Sequence, residues 1–327
     1  MIDLLSLLKS TNAYKIINSD KQQGRLSHAY LIVCADKDNL KGYMTGIAKL
    51  LFCNDEEPCQ KCRNCLSIEQ GVYPDAEFFP KGEKGVLSED VNELVKNTYI
   101  KPYESDKRAF FVCDAQTMNL SSQNKLLKTL EEPPKNVYIF LGATSEFPLL
   151  PTVRSRVKKL EIPAFSSEQL FDTLKTECTD IERLKSAITC ADGSLGKTLW
   201  LYNDQNFKTT LDYAVDVIVN MQSSKDVLTF QSKFNKLKID VKEFLSVLNV
   251  LLRDLIIINR GEEQLAFNLE HVSLMQGATG YKLGSLLAIQ QDVIDAVKRL
   301  EANSSTNMVL EWLLFKILEE KFKWQKL

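Results

Sequence analysis

No stretch of this 327-residue chain carries the G-x-x-x-x-G-K-[ST] pattern of a phosphate-binding loop. Such a loop needs glycines, so that backbone N–H groups can converge on oxyanions, and a lysine to reach them. Long apolar runs are also missing. The closest, LSVLNVLLRDLIIINR (245–260), is interrupted by Asn249, Arg253 and Asp254, so no transmembrane span is expected. The start, MIDLLSLLKS, carries an acid and no long apolar core, and it does not read as a secretory signal. A cytoplasmic protein without membrane association is the expectation. Excess charge is absent too: 41 Lys and Arg face 43 Asp and Glu, for a net charge of -2. That balance argues against a basic body built for unaided nucleic-acid binding. Proline is missing from about residue 206 onward. Cysteine is sparse outside one segment. Cys34, Cys113, Cys178 and Cys190 are scattered in apolar contexts and read as small core residues rather than a disulfide framework.

What the chain does have is alternation in its first half. Short apolar runs rich in β-branched and aromatic residues predict strands at 28–35, 76–80, 109–115, 137–143 and 157–163. Near-continuous apolar character, as in YLIV and AFFV, fits strands buried on both faces of a parallel sheet. The helices between them have readable ends. Ser88 is the expected cap of a helix over 87–99, with Val91, Leu94, Val95 and Thr98 inward. Asn119 caps the next, in which Gln123, Leu126, Leu127 and Leu130 share a face, and Pro133 stops it. After Pro163 the pattern turns helical, with Ser166 or Ser167 as a cap and the turn ADGSLGK at 191–197. From 206 on, apolar spacing of three to four predicts helices at 206–221, 224–235, 239–258, 261–273, 280–299 and 304–324, an all-α bundle.

Four cysteines crowd into FCNDEEPCQKCRNC: Cys53, Cys59, Cys62 and Cys65. Two overlapping C-x-x-C turns can place three sulfurs around one ion, and the loop 54–58 lets Cys53 supply the fourth. Four thiolates suit a closed, tetrahedral, structural zinc site. An iron–sulfur cluster and metal-free thiols are the alternatives. Lys61 and Arg63 would offset the negative charge of such a centre.

The place where an ATPase carries its phosphate loop reads CADKDNLKGYM. Around Cys34 and Lys41 there is no glycine cradle, and Asp36 and Asp38 would repel phosphate. At the end of strand 109–115, Asp114 could sit at a magnesium site. The next position, where an ATPase places a water-polarising carboxylate, is Ala115. Two separate losses suggest a retired nucleotide site, so no cofactor binding or ATP hydrolysis is expected there. The alternative is a fold that never bound nucleotide, with Asp114 simply ending a strand.

TVRSRVKK (152–159) sets Arg154 and Arg156 on a stretch leading into the last strand. A guanidinium projected from such an edge can reach a neighbouring subunit's nucleotide and stabilise the transferring phosphoryl group. It can equally be bound by local carboxylates, Glu131 or Glu132, which stand at a helix C-terminus where the dipole disfavours them. The sequence alone weighs the two equally.

On SHAYL (27–31), the C-x5-C-x2-C-x2-C knuckle, NKLLKTLEEPP (124–134) and TVRSRV (152–157), the chain resembles the delta-prime subunits of bacterial DNA polymerase III clamp loaders over essentially its full length. The resemblance implies an α/β AAA+ module with a parallel sheet and a zinc-knuckle insertion (1–163), a small helical lid (164–204) and an all-α collar (205–327). It implies zinc on Cys53, Cys59, Cys62 and Cys65. It implies a non-hydrolysing member of a pentameric ring whose partners are gamma/tau ATPase subunits and a delta subunit, acting on the sliding clamp and primer-template DNA. The family's S-R-C stretch corresponds to Ser155, Arg156 and Val157, so Arg156 is the implied arginine finger, acting in trans. The turn DGSLGK overlies the family's second sensor region, with Lys197 where an active member has arginine. The nearest alternatives are an active clamp-loader ATPase with a degenerate loop and a free zinc-containing DNA-binding module.

Overall fold

The computed structural model describes residues 4–82, 85–262, 275 and 281–323. The chain forms two compact units: residues up to Glu177 with Gly193–Lys197, and Cys178–Asp192 with the rest from Thr198.

The first unit is built on a parallel sheet. Its strands are β1 (Ala29–Cys34), β2 (Ala76–Phe79), β3 (Arg108–Val112), β4 (Val137–Ala143) and β5 (Lys158–Ile162), in the order β2-β3-β4-β1-β5. Each expected strand is present, and each neighbouring pair is parallel. The register explains one reason for the aromatic content. Phe78 faces Phe111, Phe111 faces Phe140 and Phe140 faces Tyr30 across adjacent strands. Their rings stack with centroids 4.8, 5.1 and 5.0 Å apart. Such offset pairs each add about 0.5–1.5 kcal/mol beyond the area they bury. The other face packs Ala29, Leu31, Phe110, Val112, Ile139 and Leu141 against the helices.

Helices α1 (Leu4–Ser10), α2 (Asn12–Gln22), α3 (Leu40–Phe52), α4 (Arg63–Glu69), α5 (Ser88–Asn97), α6 (Leu120–Glu131), α7 (Pro151–Arg154) and α8 (Ser167–Leu174) complete this unit. Helix α3 lies close to β4: a Cβ at Gly142 would stand 3.0 Å from Met44 and 3.1 Å from Leu40. Asn119 caps α6 as expected, its side chain accepting from the Ser122 N–H at 2.8 Å, and α6 ends at Glu131, just before Pro133. Ser166 caps α8 in a reciprocal box with Gln169. Ser88 does not cap α5. The Asp90 carboxylate takes the Leu87 N–H at 2.8 Å, so the helix starts from Leu87, and the Ser88 hydroxyl instead meets Ser122 at 3.0 Å.

The second unit is helical: α9 (Ile181–Cys190), most of α10 (Leu195–Asn203), α11 (Phe207–Asn220), α12 (Ser224–Leu237), α13 (Val241–Asn259), α14 (Leu283–Glu301) and α15 (Thr306–Lys323). The helix expected at 261–273 falls, beyond its first two positions, outside the described residues. Tyr213, Phe234 and Phe244 meet edge-on at the centre, with centroids 5.4–5.7 Å apart. Lys321, 3% exposed, donates to the Met221 carbonyl at 2.9 Å and so satisfies backbone beyond the end of α11. Asp254, fully buried, is met by Arg253 at 3.2 Å. Among the described residues no helix is long and apolar enough to cross a membrane.

Candidate functional site

The four cysteines converge. Cys53 follows the end of α3 and Cys62 caps α4, so the two helix ends and the loop between them carry all four ligands. Their Sγ atoms all lie within 4.8 Å of one another. Cys53 Sγ is 3.6 Å from that of Cys59 and 3.9 Å from that of Cys62. A tetrahedron with zinc–sulfur bonds of ~2.3 Å has edges of about 3.8 Å. Backbone N–H groups point at the sulfurs: Cys59 donates to Cys53 at 3.4 Å, Cys62 to Cys59 at 3.3 Å and Cys65 to Cys62 at 3.4 Å. Gln60 takes a positive φ of 58°, which turns the chain between Cys59 and Cys62. Outer contacts hold the loop. Asn64 donates to the Phe52 carbonyl at 2.9 Å, Lys21 to the Leu50 carbonyl at 2.8 Å, and Lys9 pairs with Glu57 at 2.6 Å. The donor set therefore fits a structural metal and leaves no open coordination position. Arg63, expected to offset the cluster's charge, pairs with Glu104 at 3.0 Å.

The turn after β1 is closed rather than open. Asp36, 5% exposed, accepts from Asn39 Nδ2 at 3.1 Å and from the Tyr43 hydroxyl at 3.1 Å. It also accepts from Ser194 Oγ and the Leu195 N–H, both at 3.1 Å, and from the Gly196 N–H at 3.3 Å. Cys34 is buried behind this turn, and burial raises its thiol pKa to about 12. Lys41 is exposed on α3.

At the end of β3, Asp114 adopts a left-handed backbone (φ 60°) and accepts from Gln116 Nε2 at 2.9 Å. Ala115 is fully buried in the hydrophobic core of the first unit.

The two arginines separate. Arg156 stays at the surface, its side chain 35% exposed, and pairs with Glu131 at 2.7 Å. Its Nη1 also donates to the Thr152 carbonyl at 2.8 Å. Glu131, not Glu132, is thus the local carboxylate. Arg154 is half-buried, and its Nε has no hydrogen-bond partner among the described residues.

Known proteins resemble this chain over different parts of its length. The family described as DNA polymerase III, delta subunit, matches residues 9–166. The delta-prime subunit of Bacillus subtilis DNA polymerase III is 25% identical over 93% of this chain and 95% of its own length. The chain is thus similar to DNA polymerase III delta-type sequences in its first half and to a delta-prime subunit over most of its length. The delta-prime subunit of Escherichia coli is 28% identical over 57% of this chain and 58% of its own length. A gamma subunit from Buchnera aphidicola is 26% identical over 90% of this chain and 84% of its own length. The first unit is accordingly a five-stranded parallel α/β module that carries the four-cysteine cluster, and helices follow it.

Two features escaped sequence reasoning. Asp36 was legible only as a charge hostile to phosphate, not as a buried acceptor. Asp75, fully buried, accepts from the Tyr103, Glu104 and Ser105 N–H groups at 2.7–2.8 Å and fixes the entry to β3. Its only sequence signal is a lone acid at the mouth of an apolar run.

Proposed function

We propose that this chain is a non-hydrolysing, delta-prime-type subunit of the clamp loader. In this reading it joins a pentameric ring with gamma/tau-type ATPase subunits and a delta-type subunit. It presents Arg156 to the nucleotide of a neighbour while the ring loads a sliding clamp on primed DNA. The division into an AAA+ module (1–163), a lid (164–204) and a collar (205–327) belongs to the same reading. Zinc on Cys53, Cys59, Cys62 and Cys65 would be a structural staple on the module.

The observation that carries the reading is the turn at 34–41. It lacks a glycine cradle, and its buried carboxylate faces the backbone donors that a bound phosphate would need. The buried Ala115 adds a second, separate deficit. For Arg156, support comes from its place at the surface beyond α7, where a half-exposed ion pair to Glu131 and hydrogen bonds to Thr152 and Ser155 hold it and cost little to exchange. The similarity to a gamma subunit over 90% of the chain favours a second reading, an active ATPase with a degenerate loop.

Reconstitution separates the two. The isolated chain is expected to turn over no ATP. The complete loader should lose DNA-stimulated turnover when Arg156 becomes alanine while still assembling. Magnesium-dependent hydrolysis by the isolated chain, lost on changing Lys41 or Asp114, would decide for the second reading.

A further inference from the structure

The donors gathered at Asp36 form an anion site that is already filled. Its acceptor is a carboxylate of the chain itself. Two of the donors, Leu195 and Gly196, are backbone N–H groups in the first turn of α10, where a helix has no internal acceptors and favours negative charge. The others are Ser194, Asn39 and Tyr43. Together they use the lone-pair positions a carboxylate has to offer. The approach is close enough to require glycine: a Cβ at Gly196 would stand 2.7 Å from Asp38 Cβ and 2.8 Å from Asp36 Oδ1. A second contact secures the same segment. Gly193, at φ +76°, accepts from the Phe165 N–H at 2.9 Å, and a Cβ there would stand 2.6 Å from the Phe165 carbonyl oxygen.

We propose that Asp36 is a built-in substitute for a ligand phosphate, and that it pins residues 193–197 to the turn between β1 and α3 with no nucleotide bound. Strand-to-helix turns and helix N-termini hold phosphate through the same kind of donors. Here one side chain satisfies them permanently, and Asp38 beside it adds a second charge against any entering anion. The closure of this segment is therefore constant through a nucleotide cycle. This inference rests on the non-hydrolysing reading and gives it a physical device.

The test is hydrogen exchange on the isolated full-length chain, read on peptides spanning 193–197. Asp36→Ala is expected to speed exchange there roughly tenfold or more, the consequence of losing charge-assisted bonds. Inorganic phosphate should slow exchange again in that variant and leave the wild type unchanged. Unchanged exchange in Asp36→Ala would overturn the proposal, as would failure of phosphate to restore protection. Slowing of wild-type exchange by phosphate or by magnesium–ADP would overturn it too. Should Asp36→Ala not fold, Asp36→Asn carries the test, because it keeps the size and loses the charge. Exchange there must again rise, and no change refutes the inference. The two ideas fail separately: ATP turnover by the isolated wild type sinks the non-hydrolysing reading, whereas unaltered exchange in the variants sinks only the built-in anion.

Discussion

Helix α3 joins two places of opposite character. At its C-terminal end Cys53 completes a set of four sulfurs whose spacing, amide donors and outer contacts all serve one task. At its N-terminal end the turn at Asp36 has the strand, the helix and the donors of a ligand site, yet the ligand's place belongs to a side chain. The first end offers four ligands to an ion from outside; the second is satisfied from within. On the proposed non-hydrolysing reading, the difference teaches how such a scaffold can keep its shape without nucleotide chemistry. In the proposed reading an external ion staples a short insertion at one end, and at the other an internal charge serves the backbone donors.

The strongest way to break this contrast is to remove the ion. Cys59→Ser or Cys62→Ser should abolish bound zinc, which is expected at about one per chain from a single four-thiolate site. Structural zinc sites in small domains are worth ~10 kcal/mol of folding free energy. Loss of the ion should therefore unfold the loop 53–65, seen as proteolytic cleavage there after chelation. Stoichiometric zinc persisting in both variants would rule out this ligand set.

Next in size comes the chemistry the chain is proposed to lend. Arg156→Ala should lower turnover at the neighbouring ATPase site ~10³-fold, the usual scale for an arginine finger. Arg156→Lys should rescue little, because an ammonium cannot reproduce the planar fork. Arg154→Ala is the internal control and should leave turnover close to wild type. Equal losses in the Arg154 and Arg156 alanine variants would mean that the whole stretch is structural.

A third measurement sharpens the idea that buried carboxylates here replace external ligands. Asp75 receives three backbone N–H groups within the first unit. Asp75→Ala leaves these donors without their acceptor and should cost about 3 kcal/mol by urea denaturation. A loss below the scatter of ordinary surface substitutions would show that water or a shifted backbone serves those donors equally well.

Much of this was legible from residue order alone, and the limit is physical. The strands announced themselves because a parallel sheet buries both faces of each run, as in AFFV and YLIV. The cysteines announced themselves because all four ligands fall within thirteen residues, so spacing and geometry coincide. The caps at Asn119 and Ser166 are local too, satisfied within three residues. Ser88 misled because a residue two positions on, Asp90, competes for the same helix start and wins with a charge. Asp36 was beyond reach for a different reason. Three of its five donors lie 158 to 160 positions away, and no periodicity records a bond of that kind. For Arg156 the sequence offered Glu131 and Glu132 as local partners, and only the folded chain selects Glu131.

The smallest effect is expected in the helical unit, and it tests the rule from the opposite side. Glu243 is 7% exposed, and its Oε1 has no hydrogen-bond partner among the described residues, unlike Asp36 or Asp75. Burial first, and then the nearby charge of Asp204, push its carboxyl from 4.5 up to about 7. Between these values the folded chain holds a proton that the unfolded chain has released. Stability contributed by this group is therefore present below pH 4.5 and is lost as pH rises towards 7. Glu243→Gln removes the titration and should raise the urea midpoint relative to wild type above pH 7, with the advantage shrinking toward pH 5. A difference between the two proteins that does not vary with pH would mean that Glu243 is ionised and fully solvated in the folded chain. In that case burial alone would not distinguish it from the carboxylates that hold the turn after β1 and the entry to β3.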